Sequence, residues 1–212
     1  MEDILEEPET IVEKDMFFTI WTRPTETFRY IFKYCPTKYV NGIITWYGIS
    51  NALAINLVFL LNRTRFSIVL TIFITLFGWL FAWIWVYIIS SLMSWSGKWI
   101  GGRAALDEFV TVSAWSYIPS IAAVFPLAVE AVIFGNIDSM NTFENQNVIL
   151  LLLYYLLLAV RYGLNIWSLV ILIKGTVVLQ NFNYKKAILN VILALLIIFV
   201  PAFIIGSLIY LF

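Results

Sequence analysis

Residues 148–173 read VILLLLYYLLLAVRYGLNIWSLVILI, a stretch that contains one charged side chain, Arg161. A helix rises 1.5 Å per residue, so about 20 apolar residues cross a hydrocarbon core of roughly 30 Å. The stretch therefore predicts a transmembrane helix. A cation inside such a helix costs about 2.5 to 3.5 kcal/mol on insertion, so Arg161 requires a partner or a function.

Four further stretches have the same character, and together they predict five spans. They are residues 42–61, 66–95, 109–134 and 187–212. The third contains Pro119 and Pro126 and the fifth contains Pro201, and a proline removes a backbone donor and favours a kink. The predicted fold class is all-α: a polytopic membrane helical bundle with five transmembrane helices and an N-terminal amphipathic interfacial helix.

The composition of the whole chain agrees with a membrane protein. Of its 212 residues, 62% are hydrophobic and 12% are charged, whereas a soluble domain has about 25% charged residues. The net charge is zero, so no overall basic field would hold nucleic acid. The chain has no histidine and one cysteine, which excludes zincins, Ser-His-Asp hydrolases and an internal disulfide framework. We predict no enzymatic activity, no catalytic residue, no metal site and no cofactor.

Basic residues are distributed unequally between the two sides of the predicted spans. Two lie on one side, Arg63 and Arg65. The ten on the other side are Lys14, Arg23, Arg29, Lys33, Lys38, Lys98, Arg103, Lys174, Lys185 and Lys186. Because cytoplasmic loops carry an excess of Lys and Arg, this bias predicts a cytoplasmic N-terminus and a C-terminus outside. The predicted location is the cell membrane for a prokaryotic chain and an endomembrane for a eukaryotic one.

Three parts of the chain differ in composition. Residues 1–15 contain seven acidic residues and one lysine, which predicts an acidic disordered tail. Residues 16–40 form a cytoplasmic amphipathic segment, and residues 41–212 form the transmembrane domain.

The amphipathic segment has a clear helical period. Phe28, Ile31 and Phe32 recur at helical spacing, and Arg29 and Lys33 fall on the opposite side. The pattern predicts a helix that either lies on the cytoplasmic leaflet or packs on the cytoplasmic ends of the spans. In the first case Arg29 and Lys33, with Lys98 and Arg103 of the glycine-rich loop between the second and third spans, are candidate contacts to the membrane surface.

Two stripes of polar and small residues run along the third and fourth spans. One is made by Ser116, Ser120, Ala123, Leu127 and Glu130, and the other by Tyr154, Leu158, Arg161, Asn165 and Ser168. Asn51 of the first span matches the depth of Arg161, whereas Glu130 lies nearer the outer end of its span. A direct contact between Glu130 and Arg161 would therefore need a shift or a bridging water. The candidate intramembrane binding cluster comprises Arg161, Glu130, Asn51, Asn165 and Tyr154.

This cluster has two interpretations. It can be a polar cavity with a cation at mid-depth, suited to an anion or a lipid headgroup. It can equally be a buried polar clasp, in which the arginine and its partners only fix the packing of the helices.

The order of features along the chain resembles the Yip family of five-span membrane proteins, whose members include partners of Rab-type GTPases. The resemblance rests on three features: Trp21, Arg23, Pro24, Thr25 and Phe28; the loop from Gly97 to Gly102 followed by Phe109, Tyr117 and Pro119; and the turn at Lys186 and Ala187. It covers the chain from about residue 17 onwards. The sequence lacks the Asp-Leu-Tyr-Gly-Pro type motif of eukaryotic members, so the resemblance points to a prokaryotic one.

The resemblance implies a helical bundle that organises membrane or recruits partners and is not catalytic. The expected partners are the lipid bilayer and a protein on the cytoplasmic face. The alternative is a transporter or a lipid-translocating protein with a polar site around Arg161. The sequence does not determine the oligomeric state.

Overall fold

The computed structural model describes residues 11–61, 68–134 and 148–211, which are largely helical. A short 3-10 turn at Glu13–Asp15 precedes the α-helices. These are α1 (Met16–Thr22), α2 (Pro24–Tyr34), α3 (Val40–Leu61), α4 (Ile68–Trp99), α5 (Leu106–Ser116), α6 (Ile118–Ala122), α7 (Val124–Phe134), α8 (Val148–Gln180) and α9 (Tyr184–Leu211).

Five segments of the described residues are long and apolar enough to cross a membrane, as the sequence predicts. They are Val40–Phe59, Val69–Trp99, Leu106–Phe134, Val148–Gln180 and Tyr184–Ser207. The predicted class, an all-helical bundle with five spans and a short N-terminal helix, is confirmed. Arg63 and Arg65 lie outside the described residues.

Two of the helices continue past the ends that hydropathy predicts. α4 ends at Trp99 rather than residue 95, and α8 ends at Gln180 rather than residue 173. The extensions carry polar side chains, among them Ser96 and Gln180, that are buried and hydrogen-bonded within the protein. Hydropathy ends a span where polar residues begin, but here the fold satisfies them and the helix continues.

The third span is broken into α5, α6 and α7. The breaks at Tyr117 and Ala123 lie close to Pro119 and Pro126, each of which removes a backbone donor. The freed N–H of Ser120 donates to Ser168 Oγ at 3.0 Å. By contrast, α9 continues through Pro201. Proline therefore interrupts one span and not the other.

The chain divides into two compact units. Unit 1 is formed by the described parts of Met1–Val40, Val86–Ser116 and Val170–Phe212, and unit 2 by those of Asn41–Trp85 and Tyr117–Leu169. In unit 1, a core cluster of buried apolar residues comprises Ile89, Met93, Ala104, Phe109, Val191 and Ala194. In unit 2, α3 and α4 approach closely at small residues, because a Cβ added to Gly78 would lie 3.0 Å from Ala52 Cβ.

The N-terminal helices pack on the spans of unit 1. Phe28 and Ile31 of α2 are fully buried within the protein. The Phe28 ring is so close to α8 that a Cβ added to Gly175 would lie 2.8 Å from its Cε2 atom. Of the two interpretations of this amphipathic helix, the contacts support packing on the ends of the spans. The apolar face at Phe28 and Ile31 is turned to protein and is not free to enter the leaflet.

Within residues 11–15, which composition assigns to the predicted acidic tail, Glu13–Asp15 form the 3-10 turn. Glu13 forms an ion pair with Lys38 and accepts a hydrogen bond from the Tyr39 hydroxyl at 2.7 Å. The hydrogen bonds from Lys38 and Tyr39 lower the pKa of Glu13. The contact is therefore present above the ordinary pKa of glutamate and is lost as the pH falls through the lowered value. The remainder of the predicted tail, residues 1–10, lies outside the described residues.

Two glycines of α8 provide a test of how α2 is seated. A Cβ at Gly175 would lie 2.6 Å from Val112 Cγ1, and overpacking of this kind costs about 1 to 3 kcal/mol. We expect Gly175→Ala to lower the thermal unfolding midpoint in detergent. Gly163→Ala is the matched control, because nothing lies within 4 Å of its Cβ position. Equal midpoints for the two variants would show that neither Phe28 of α2 nor Val112 of α5 packs closely against α8 at Gly175.

Candidate functional site

Arg161 of α8 and Glu130 of α7 form an ion pair inside unit 2. The Arg161 Nη1 and Glu130 Oε2 atoms are 3.5 Å apart, and the side chains are 19% and 4% exposed. Residue counts along the predicted spans give Glu130 and Arg161 different depths. This prediction is wrong because the count for Arg161 starts at the first residue of α8. That helix has 33 residues and is about 50 Å long, so its first residue does not mark the edge of the hydrocarbon core.

A second polar contact joins the two predicted stripes. Ser120 Oγ lies 3.0 Å from Asn165 Oδ1 and 2.8 Å from Ser168 Oγ. The Asn165 amide in turn donates to the carbonyl oxygen of Arg161 at 2.9 Å. Polar residues of α6 and α7 thus meet polar residues of α8 at two levels, once as hydrogen bonds and once as an ion pair.

Tyr154 lies away from Arg161. Its ring contacts Phe134 edge to face, with 5.5 Å between the ring centroids, and contacts Tyr155 in the same way. Tyr154 is about two turns or more from the polar contacts along α8, and its described partners are aromatic. Of the five residues predicted to cluster, it is the one that the structure does not bring to the others.

A cavity of about 240 Å³ lies beside Arg161 in unit 2. Its polar lining includes Arg161, Asn51 and Asn165, which the sequence predicts as one cluster. Glu130 pairs with Arg161 but is not part of this lining. The other lining residues are Tyr47, Ser50, Ala54, Val58, Ser120, Ala123, Val124 and Leu127. Sequence reasoning missed Tyr47 and Ser50, which lie one turn and one residue before Asn51 on the same helix.

The four candidate surface cations all belong to unit 1 and are exposed. Arg29 and Lys33 lie on α2, and Arg103 lies in the segment between α4 and α5. Lys98, predicted in the same loop, lies in the last turn of α4, because that helix continues to Trp99. Lys33 also lies over the ring of Tyr34, 5.1 Å from its centroid. Among the described residues of unit 1, ten basic side chains accompany five acidic ones: Glu13, Asp15, Glu26, Asp107 and Glu108.

The loop that follows Lys98 and carries Arg103 is fixed by a buried glutamine. Gln180 Oε1 accepts hydrogen bonds from the backbone N–H groups of Arg103 and Ala104, at 2.8 and 3.0 Å. Gly101 has a φ of 93°, a left-handed backbone conformation that favours glycine. Lys186 Nζ donates to the Ile100 carbonyl at 3.2 Å. The loop is therefore built into the protein.

A buried asparagine holds the end of α4 from α9. Asn190 Nδ2 donates to the Met93 carbonyl at 3.0 Å and to Ser96 Oγ at 2.8 Å. Sequence reasoning missed both Asn190 and Gln180. An asparagine three residues into an apolar span is the same kind of signal as Asn51, so Asn190 was detectable. Gln180 was not, because it lies beyond the predicted end of its span.

Comparison with known proteins gives a family match. The family model described as the Yip1 domain matches residues 18–205, which is nearly the whole chain. No curated protein and no solved structure matches the chain.

The ion pair at Arg161 allows a double-mutant test. Removing one member of a buried pair leaves the other uncompensated and costs about 3 to 5 kcal/mol, whereas replacing both with apolar residues is often neutral. We expect Arg161→Met and Glu130→Leu each to lower the thermal unfolding midpoint in detergent. The double variant should recover most of the loss. Additive losses in the double variant would mean that the two side chains do not stabilise each other.

Proposed function

We propose that this chain, which belongs to the Yip1 domain family and is a multi-pass integral membrane protein, organises membrane or recruits partners through its cytoplasmic face. The proposal includes no catalytic step. It assigns the contact surface to the exposed cations of unit 1, namely Arg29, Lys33, Lys98 and Arg103.

The proposal requires an orientation in which the N-terminus is cytoplasmic and the C-terminus is outside. The distribution of basic residues supports it, with ten on the proposed cytoplasmic side against Arg63 and Arg65 on the other.

The observation that carries the proposal is the fixed loop between α4 and α5. Two backbone hydrogen bonds to Gln180 and the packing of Gly97 and Gly102 against its side chain hold the segment that presents Lys98 and Arg103. A loop held in this way presents its cations without the entropic cost of ordering a mobile segment on binding. Each cation near an anionic membrane surface contributes about 1 kcal/mol. The same surface would attract an acidic segment of a protein partner.

Two pairs of cations that the sequence predicts on opposite sides of the membrane provide a matched test. The protein is placed in phosphatidylcholine nanodiscs, which leave both faces accessible, and its binding to phosphatidylglycerol vesicles is measured by co-flotation. We expect Lys98→Gln/Arg103→Gln to weaken binding by about tenfold or more, since two cations contribute roughly 2 kcal/mol. Arg63→Gln/Arg65→Gln changes the net charge equally and should have little effect. Equal losses for both pairs would contradict the proposed surface.

A labelling experiment tests the orientation on which the vesicle-binding experiment depends. In a Cys35→Ser background, a cysteine replacing exposed Lys98 should resist a membrane-impermeant thiol reagent in sealed cells and react after permeabilisation. Ser96 is unsuitable as a probe because it is buried and bonded to Asn190. Labelling of the Lys98→Cys variant in sealed cells would reverse the assigned face.

A second function is favoured by one specific observation, the cavity beside Arg161. A polar cavity among membrane spans is the usual setting of a transport site. The broken third span supports this function too, since interrupted helices frequently line such sites. On this proposal the chain moves an anion or a lipid headgroup, and Arg161 is the residue that binds it.

A further inference from the structure

We propose that the cavity beside Arg161 binds a phosphate group, carried either by a lipid headgroup or by free phosphate. The inference rests on the second function above and specifies its ligand. Four features of the cavity support it: the donors of its lining, their charge, the size of the space and the position of its opening.

Arg161 has unused hydrogen-bonding capacity. A guanidinium group has five N–H donors in a planar fork that matches the oxygens of a phosphate. Among the described residues, the Arg161 side chain has one oxygen contact, Glu130 Oε2 at 3.5 Å. Its guanidinium also lies 5.5 Å from the centroid of the Tyr162 ring. Most of its donors are therefore available to a ligand in the cavity that Arg161 lines.

The remaining polar lining supplies hydroxyl and amide groups. Asn51 Nδ2 donates to the Tyr47 carbonyl at 2.8 Å, and an amide nitrogen has a second hydrogen to donate. Ser120 and Asn165 bond to each other, which fixes both side chains at the cavity wall. Neutral donors together with one arginine favour an oxyanion over a cation.

The charge of the lining agrees with an anionic ligand. Arg161 is the charged residue of the lining, and no carboxylate belongs to it. Glu130 is 4% exposed and contacts the guanidinium from outside the cavity. It acts as a positioning residue that holds Arg161 in place and leaves the cavity face of the guanidinium to the ligand.

The size of the cavity limits what it can hold. Its volume is about 240 Å³. This space accommodates a phosphate with a few waters, whereas drug-sized ligands occupy sites of about 300 to 1,000 Å³. A lipid would therefore place its phosphate in the cavity and leave its acyl chains outside.

The opening of the cavity is marked by Asn165. This residue lies near the middle of α8, among apolar residues, and it is exposed at the protein surface together with Val58. The Asn165 amide bonds to Ser120 and to the Arg161 carbonyl, and its nitrogen has a second hydrogen to donate to a polar group at the opening. A headgroup entering from the bilayer would supply that polar group.

Native mass spectrometry in detergent tests the proposal with lipids that differ only in the phosphate. Dioleoyl phosphatidic acid is compared with dioleoylglycerol, which has the same chains and no phosphate. We expect wild-type protein to retain phosphatidic acid at least about tenfold more strongly than dioleoylglycerol. Arg161→Gln should remove this difference, because hydrogen bonds to charged groups contribute about 1.5 to 3 kcal/mol. Arg103→Gln, which removes an exposed cation of unit 1, should preserve it.

A parallel arm identifies the source of the phosphate. Inorganic phosphate is added to protein without lipid, and the thermal unfolding midpoint is measured against an equal ionic strength of chloride. A rise that Arg161→Gln abolishes assigns the site to free phosphate, and no rise with retention of phosphatidic acid assigns it to a lipid. Equal retention of the two lipids, without a phosphate-induced rise, overturns the proposal. A preference for phosphatidic acid that persists in Arg161→Gln also overturns it.

Two further experiments complete the test: alternative variants of the cavity lining, and a measurement of lipid flux. If Arg161→Gln does not give a monodisperse protein, Asn51→Leu and Asn165→Leu provide the same comparison, because they remove donors from the lining without touching the ion pair. Flux of labelled lipid in proteoliposomes separates binding from transport. Phosphate binding without flux supports the site and contradicts the transport function. Flux that depends on Arg161, without a preference for the lipid that carries phosphate, supports the transport function and contradicts the phosphate site.

Discussion

The hydrocarbon core of a bilayer offers no hydrogen-bonding partner, and the interior of this protein follows from that constraint. The break in the third span frees the N–H of Ser120, and the hydroxyl of Ser168 accepts it. Glu130 meets Arg161, and Asn190 bonds to the end of α4. These contacts join polar groups inside the spans across different helices, and they contribute to the choice of which helices lie together. Apolar surface alone would not select partners, because lipid chains are as apolar as leucine.

The sequence predicts those features that depend on residues close together along the chain. Hydropathy identifies five spans, and the repeat of polar residues at helical spacing identifies the faces of the third and fourth spans that meet. The ends of α4 and α8 escape prediction because Ser96 and Gln180 are satisfied by residues distant in sequence. The contact between Glu130 and Arg161 was misjudged for a related reason: residue counts along a helix do not give depth when the helix is longer than the membrane is thick.

The N-terminal helix shows a different limit. The spacing of Phe28 and Ile31 predicts an apolar face correctly, but periodicity does not specify what covers that face. In the structure the spans of unit 1 cover it, and Gly175 permits the close approach of the Phe28 ring. The cations of the same helix remain exposed, so the helix separates a structural face from a charged one. This division makes the proposed surface compatible with the packed core beneath it.

The central claim is that the polar faces around Arg161 enclose a hydrated cavity rather than a dry clasp. Neighbouring residues of α3 test it most directly, since Ala54 lines the cavity and Leu53 is 47% exposed outside its lining. Each is replaced by cysteine in a Cys35→Ser background, and the rate of modification by a small hydrophilic methanethiosulfonate is measured. Because the reactive thiolate forms in water, Ala54→Cys should react and Leu53→Cys should not. A slow or absent reaction at Ala54→Cys, or equal rates at the two positions, would contradict the account.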